Sequence, residues 1–321
     1  MNQKIRESFQ QAWQPALRSA WWLLKIMIPV SIGVTALQYL GVIQWLSGYL
    51  EPFFRLIGLR GEAALVLVTS AFLNLYSALA VIQTIPFTAK EVTILALMCL
   101  IAHNMVVETA VQKKTGSSAR RMVVIRLSCA LLAAICLHLF IPETHRYFFT
   151  AVENNPHTPL REVVNNWLSS TLFLSTRLVL IVVLLNFMQK LMEAFGVMQF
   201  LSKLLAPVMH LFGLSRRTSF LWIVGNVVGL AYGAVILIET RKQHIISARE
   251  ADRLNHHLAV SHSLLEDTLI FVAIGVPVLW ITLPRILLAI GVVWGAYGLK
   301  ILFSRVRTRI QPAPQTTNLQ D

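Results

Sequence analysis

Residues 41–59 (GVIQWLSGYLEPFFRLIGL) and 196–214 (GVMQFLSKLLAPVMHLFGL) are two copies of one segment, identical at ten of nineteen positions. The shared positions include Gly41/Gly196, Gln44/Gln199, Ser47/Ser202, Pro52/Pro207 and Gly58/Gly213, all at an offset of 155. Farther along, Thr88-Ala89-Lys90-Glu91 matches Ser247-Ala248-Arg249-Glu250 at an offset of 159. The same offset pairs His103 with His262, Glu108 with Asp267 and Thr109 with Thr268. The second copy thus carries four extra residues. Shared hydrophobicity does not align glycine, proline, glutamine, histidine and acids, so the chain is a duplication. Whatever one half folds into, the other must fold into as well.

Each half has the same succession of segments. A long apolar helix (about 19–42; about 169–192) precedes a shorter amphipathic piece holding the GVxQ…P…GL motif, suited to a membrane interface. Next comes an apolar stretch broken by small and polar residues: 62–86 with Asn74, Tyr76 and Ser77, and 218–240 with Asn226, Gly229, Tyr232 and Gly233. A helix flecked with polar residues follows (88–112; 247–272), and an apolar helix ends the half (121–141; 277–303). Only 13% of residues are charged and 56% are hydrophobic, with a mean hydropathy of +0.64. A soluble domain covers its surface with roughly 25% charged residues, so much of this surface faces lipid. The N-terminal stretch lacks the apolar core and small-residue cleavage site of a signal peptide, and no lipidation motif is expected.

The third segment of each half is long enough to cross the bilayer once or to enter and leave as two half-length arms. Net charge is +13, and the basic residues cluster at Lys4/Arg6/Arg18, Lys113/Lys114/Arg120/Arg121, Lys203/Arg216/Arg217, Arg241/Lys242/Arg249 and Arg305/Arg307/Arg309. The stretch 142–168 is not basic: Arg146 and Arg161 face Glu143, Glu153 and Glu162. Lysine and arginine mark cytoplasmic loops. Three crossings plus a re-entrant hairpin per half places every cluster inside and 142–168 outside. Only Arg55, Arg60 and Lys90 then fall on the wrong side. Four crossings per half would put the 113–121 and 203–217 clusters on opposite sides. The expected architecture is an all-α polytopic membrane protein of two inverted repeats, each of three transmembrane helices, one re-entrant hairpin and one interfacial helix. Its divisions are a cytoplasmic segment (1–18), a first repeat (19–142), an extracytoplasmic loop (143–168), a second repeat (169–304) and a disordered cytoplasmic tail (305–321). The expected location is a bacterial inner membrane, with both termini cytoplasmic.

A broken apolar stretch, then [ST]-x-x-E, then a polar-interrupted helix resembles the Gate, or nucleoside recognition, domain. That domain occurs in concentrative nucleoside transporters, in the gate regions of ferrous-iron transporter B and in spore maturation proteins A and B. The second half is most similar to the small YjiH-type membrane proteins, through Gly225-Asn226, Ser247-x-x-Glu250 and His262-Ser263-x-x-Glu266-Asp267-Thr268. The resemblance implies hairpins whose tips meet near the midplane and following helices that unwind there. The nucleoside carriers hold base and ribose with Gln-Thr-Glu-type side chains at the first tip. Here the tip reads Ala71-Phe72-Leu73-Asn74-Leu75-Tyr76-Ser77, and neither tip has the cysteine of the iron transporters.

His103-Asn104 and Glu108 sit in the apolar run ILALMCLIAHNMVVETAV, and their counterparts are His262-Ser263 with Glu266 and Asp267. An ionisable group at bilayer depth costs about 3 kcal/mol, so it points to function. His262 and Glu266, four apart, are expected to share a helix face. Two readings stand: the set binds a coupling proton, a cation, a divalent metal or an anionic head group, or it satisfies backbone groups freed by the helix breaks. Asn74, Asn226 and Tyr232 are further candidates, since a hairpin tip needs polar groups and Gly233 permits close approach. His256-His257 and Asp252 are expected to face the cytoplasm, Trp21-Trp22 and Trp45 to anchor at the interface, and Asn154-Asn155-Pro156 to turn. Cys99, Cys129 and Cys136 have no CxxC spacing and read as small buried hydrophobes.

No nucleophile–base pair, phosphate loop or HExxH is present, so an enzyme is not expected. Nor is a cofactor, and no groove-reading motif accompanies the positive charge, so no nucleic acid is expected. Expected partners are the bilayer and a small solute or ion, and a homo-oligomer is compatible. The functional expectation is a transporter or channel with a central site between the repeats. Its alternatives are translocation of a lipid or lipid-linked substrate and a non-transporting membrane scaffold.

Overall fold

The computed structural model describes residues 2–143, 146–149 and 158–310. The same seven helices occur twice. The first half has α1 (Asn2–Tyr39), α2 (Val42–Arg55), α3 (Ala63–Phe72), α4 (Leu75–Thr84), α5 (Ala89–Ala102), α6 (Met105–Lys114) and α7 (Ala119–Phe140). The second has α8 (Leu160–Ala194), α9 (Val197–Leu205), α10 (Ser219–Val227), α11 (Leu230–Lys242), α12 (Ala248–Ser261), α13 (Glu266–Ile274) and α14 (Val278–Ile310). Among the described residues, six helical stretches are long and apolar enough to cross a bilayer: Ile5–Tyr39, Ala89–Lys114, Ala119–Phe140, Leu160–Ala194, Ala248–Ile274 and Val278–Gly298. The pairs α3/α4 and α10/α11 are hairpins of short helices, each arm about 14–20 Å long at 1.5 Å per residue. Neither arm reaches across roughly 30 Å of hydrocarbon. The expected all-α polytopic fold, with six spans and two hairpins, is the one observed.

Repeated local chemistry sets the helix boundaries. Gly41 and Gly196 adopt left-handed conformations and turn the chain from α1 into α2 and from α8 into α9. Thr88 and Ser247 each begin a broken span with a capping box: the hydroxyl accepts from the N–H of Glu91 or Glu250, and that glutamate accepts from the cap N–H. α5 is apolar all round and buried from Lys90 to Ala102, as suits a helix at the centre of a bundle. It packs on α7, and α12 packs correspondingly on α14.

α1 and α8 are both longer than expected. The separate segment 1–18 is the first part of α1, and the 142–168 loop is shorter because α8 begins at Leu160. The cause lies in α1, where Ser8, Ala12, Ala16, Ala20, Leu23 and Met27 form one buried stripe of mostly small residues. Such a stripe permits close helix approach. α1 packs against α8, with Phe9 edge-on to Phe187 (ring centroids 5.5 Å apart) and Trp167 Nε1 donating to Ser31 Oγ at 3.0 Å. An early residue of α1 meets a late one of α8 and the reverse, so the two run antiparallel. Trp21, Trp22 and Trp45 are exposed. α14 runs helical to Ile310, whereas 311–321 and the Asn154–Pro156 turn lie outside the described residues.

The three cations that a cytoplasmic N-terminus leaves on the wrong side are each paired. Arg55 meets Glu51 (2.8 Å), Arg60 meets Glu91 (2.9 Å) and also donates to the Pro86 carbonyl, and Lys90 meets Glu143 (2.6 Å). Glu51 also accepts from the Gly61 N–H at 2.6 Å, pinning α2 to the start of the first hairpin. The Arg55 guanidinium, together with that N–H, holds the Glu51 carboxyl below its ordinary value of 4.5.

Two predictions follow from this packing. Ala16→Leu overfills the α1 stripe and lowers stability by about 1–3 kcal/mol, seen as a lower midpoint of thermal unfolding in detergent, whereas Trp21→Leu on the exposed face leaves it unchanged. Because the folded pKa of Glu51 is depressed, its contribution is present above pH 4.5 and is lost as pH falls through the lower folded value. Glu51→Gln therefore costs less than about 1 kcal/mol at neutral pH, the scale of an exposed pair, and the difference from wild type closes in acid.

Candidate functional site

The centre of the protein is built at two interruptions. α5 stops at Ala102, His103 is extended, and Asn104 takes a left-handed conformation (φ 45°) before α6 begins. α12 stops at Ser261, Ser263 is left-handed (φ 51°), and α13 begins at Glu266. A left-handed non-glycine residue costs about 1–2 kcal/mol, so each break needs outside support. The hairpins supply part of it. The Asn104 N–H donates to Ser70 O at 2.8 Å, Ser263 N–H to Gly225 O at 3.0 Å, and Leu265 N–H to Asn226 O at 3.0 Å.

Two fully buried arginines supply the rest. Arg126 of α7 donates through Nε to Ile101 O (2.8 Å) and through Nη2 to His103 O (2.6 Å). Arg285 of α14 donates through Nε to Val260 O (3.2 Å), through Nη2 to His262 O, and through Nη1 to Thr268 Oγ1 (3.2 Å). The carbonyls at the ends of α5 and α12 have no helical partner, and a guanidinium at a helix C-terminus suits the dipole there.

The two breaks meet. The His103 and His262 rings have centroids 5.0 Å apart. Each ring directs Nδ1 at the carbonyl four residues back, Cys99 O at 3.0 Å and Leu258 O at 2.9 Å. A carbonyl has no hydrogen to give, so Nδ1 carries it, and Nε2 of each ring points inward. His103 Nε2 lies 3.0 Å from Glu108 Oε1 and 3.3 Å from Asp267 Oδ2. His262 Nε2 lies 3.0 Å from Glu108 Oε2, which also meets Arg126 Nη2 at 2.7 Å. Glu266 stands beside this set and accepts from Gln189 Nε2 of α8 at 3.2 Å.

Known proteins share this framework. The sequence profile of the Gate family, described as nucleoside recognition, matches residues 20–119 and 175–298, together most of the chain and both broken spans. The chain belongs to the Gate family. It is also similar to the membrane protein YvoD of Bacillus subtilis (strain 168), with 31% identity over 289 residues, covering 89% of this chain and 93% of that one.

In this Gate-family chain the structure gathers His103, Glu108, His262 and Asp267 at one point, with Asn104 and Ser263 as the strained residues beside the histidines. Other expected residues lie elsewhere. His262 and Glu266 do not share a helix face, because the break at 262–265 separates them, and Glu266 turns to Gln189 instead. Asn74 is the N-cap of α4, accepting from Ser77 N–H at 2.9 Å. Asn226 Nδ2 donates back to Trp222 O (2.9 Å), while its Oδ1 is buried without a hydrogen bond. Tyr232 is 52% exposed and lines a crevice of about 350 Å³ with Asn186, Gln189, Lys190 and Gln199. The hairpin contact expected of Gly233 is real: a Cβ there would lie 3.2 Å from Gly225 Cα.

His256 and His257 are buried in the protein rather than exposed on its surface. His256 Nδ1 bonds Asp252 O (2.6 Å), and His257 Nδ1 sits 3.1 Å from Trp222 Nε1 and 2.8 Å from Ser261 Oγ. They belong to a polar seam between the halves, where Asn255 Nδ2 donates to Thr115 Oγ1 (2.8 Å) and Ser117 Oγ (2.9 Å), and Ser117 Oγ donates to Asp252 (2.8 Å). Cys99 and Cys129 are buried and Cys136 partly so, all as free thiols.

Reading the sequence missed Arg126, Arg285 and Gln189. The arginines could have been found: they pair at the same offset of 159, and each stands within the apolar stretch of its helix, apart from the basic cluster at that helix's end. Arg126→Met and Arg285→Met each strand two buried carbonyls, and each is expected to cost at least about 2 kcal/mol by thermal unfolding in detergent. Arg126→Lys fails to restore wild-type stability, since one ammonium does not span Ile101 O, His103 O and Glu108 with the geometry of a guanidinium.

Proposed function

We propose that this Gate-family protein is a transporter of a small solute or ion, with a cation-dependent central site formed by His103, Glu108, His262 and Asp267. The observation that carries the reading is the inward pair of Nε2 atoms. With Nδ1 protonated, a neutral ring holds a lone pair on Nε2, and each of these faces carboxylate oxygen at 3.0 Å. Lone pairs at that separation repel unless a positive charge lies between them. The site therefore gains a cation in one state and releases it in another, which is the requirement for coupling. Broken helices at the meeting point of two repeats are the usual construction of a transporter site.

The antiparallel run of α1 and α8, the first helices of the two halves, supports reading the repeats as inverted. Cytoplasmic termini in an inner membrane rest on the five basic clusters outnumbering Arg55, Arg60 and Lys90, each of which is paired with a carboxylate. The crevice bearing Tyr232 ends at Gln189, whose amide bonds Glu266. We read it as the approach to the site, with Gln189 and Glu266 as its inner door.

A second reading, movement of a lipid or lipid-linked substrate, draws on one observation. An apolar groove of about 660 Å³ runs between α1 and α8, lined by Trp13, Leu17, Leu24, Trp167, Leu172 and Leu180, and has the shape and lining to take an acyl chain.

Proteoliposomes separate these readings. Wild type is expected to accumulate at least one solute from a panel of nucleosides, organic acids and divalent ions, and His262→Gln to reduce that uptake at least tenfold, a loss of about 1.4 kcal/mol. Scrambling of a fluorescent phospholipid without solute uptake would favour the second reading. A reporter cysteine at Ser263, in a chain with its native cysteines replaced, reacts with an impermeant maleimide from one side of the membrane. Its complete protection from both sides under every condition would overturn transport through this site.

A further inference from the structure

We infer that the central cluster is a binding site for a divalent first-row transition-metal ion, ligated by His103 Nε2, His262 Nε2, Asp267 Oδ2 and Glu108 Oε1. The inference deepens the proposed transport function and rests on the same site. Its first support is convergence: His103, His262 and Asp267 each offer one ligand atom, all within 4.8 Å of one another, and Glu108 Oε1 lies 3.0 Å from His103 Nε2. Ligands about 2.1 Å from a common ion stand roughly 3.0–3.4 Å from each other, and His103 Nε2 lies 3.0 Å from Glu108 Oε1 and 3.3 Å from Asp267 Oδ2.

The second support is the outer contacts. Both histidines give Nδ1–H to a backbone carbonyl, the arrangement by which metal-ligating histidines are held in tautomer and orientation. Arg126 occupies Glu108 Oε2 and leaves Oε1 facing the cluster. The third support is a pair of unmet polar atoms: His262 Nε2 and Asp267 Oδ2 are buried, and no hydrogen bond reaches either. Both aim into the space between the two breaks.

Ligand chemistry selects the ion. Two imidazoles with two carboxylates suit zinc, ferrous iron, cobalt or manganese, and magnesium and calcium prefer six or more oxygens. Arg126 already pairs with Glu108 Oε2 at 2.7 Å, which leaves Asp267 and the two neutral imidazoles to meet the charge of the ion. The site lies within the protein, where its ion is screened from lipid and reached by way of Glu266 and Gln189.

The test uses the full chain in detergent, stripped with a chelator and then dialysed against cobalt(II) or zinc(II). Wild type is expected to retain one metal ion per chain, with the cobalt form showing ligand-field absorption of a low-coordinate nitrogen–oxygen site. Excess magnesium does not displace it. His103→Gln and Asp267→Asn are expected to weaken retention at least tenfold, no less than loss of an outer-shell partner does, while His210→Gln on the surface leaves it intact. X-ray absorption of zinc-loaded wild type, which needs no variant to fold, is expected to show scattering from two imidazoles. Failure to retain either metal, equal retention by the two ligand variants, or absorption without imidazole scattering would overturn the inference. Solute uptake that still depends on His262 in metal-free protein would refute the metal and leave the transport reading standing. Stoichiometric metal without any flux would do the reverse.

Discussion

The fold depends on two guanidinium groups that take the place of missing helical hydrogen bonds. A helix interrupted at bilayer depth exposes carbonyls and amides where no water is at hand, at several kcal/mol per unmet group. In each half the amide side of the break is met by a hairpin carbonyl, Ser70 O or Gly225 O, and the carbonyl side by Arg126 or Arg285. The hairpin and the closing helix of a half are thus tied to one break from opposite sides. Short arms that span nothing are worth keeping because their tips carry the acceptors that the break needs.

That division of labour separates structural polar groups from those left over for chemistry. Asn74 caps its helix, Thr268 meets Arg285, and Asn255 with Thr115, Ser117 and Asp252 joins the halves on one side. The carbonyls of Ile101, His103, Val260 and His262, which the breaks release beside the histidines, each have an arginine donor. His103, His262, Glu108 and Asp267 are then in excess of what the backbone requires. His262 Nε2 and Asp267 Oδ2 are buried without a hydrogen bond, and so are Asn255 Oδ1, His256 Nε2 and His257 Nε2 in the seam.

Much of the fold was legible because duplication doubles every signal. Paired motifs located both hairpins and both broken spans, and the charge count chose six crossings, as the helices bear out. Boundaries were less legible. The stripe Ser8, Ala12, Ala16 and Ala20 is too polar and small to read as a span, and only contact with α8 makes it helical through to Asn2. At the site, spacing failed where backbone geometry changed. Residues four apart share a face only on an unbroken helix, and the bend at Ser263 sends Glu266 toward Gln189. The arginines were hidden by their type, since lysine and arginine in this chain mostly mark loops, and a buried pair was counted with neither group.

The halves have also ceased to be equal, and the inequality bears on mechanism. Glu108 is held by His103, His262 and Arg126, whereas its counterpart Asp267 makes an ion pair with His103 at 3.3 Å. Glu266 corresponds to the apolar Val107, and the capping Asn74 corresponds to Gly229, left-handed at φ 103° and close to Ser263 Oγ. A symmetric site would hold its cation equally from either side. Here the first half provides the fixed anchor, Glu108 braced by a buried arginine. The second provides Asp267, on a helix start whose neighbour Glu266 accepts from the crevice-lining amide of Gln189. Loss of the Gln189–Glu266 bond would free the start of α13, and with it Asp267, without disturbing Glu108. On the proposed reading, release toward the Tyr232 crevice requires loss of the Gln189–Glu266 hydrogen bond and leaves the buried Glu108–Arg126 pair intact.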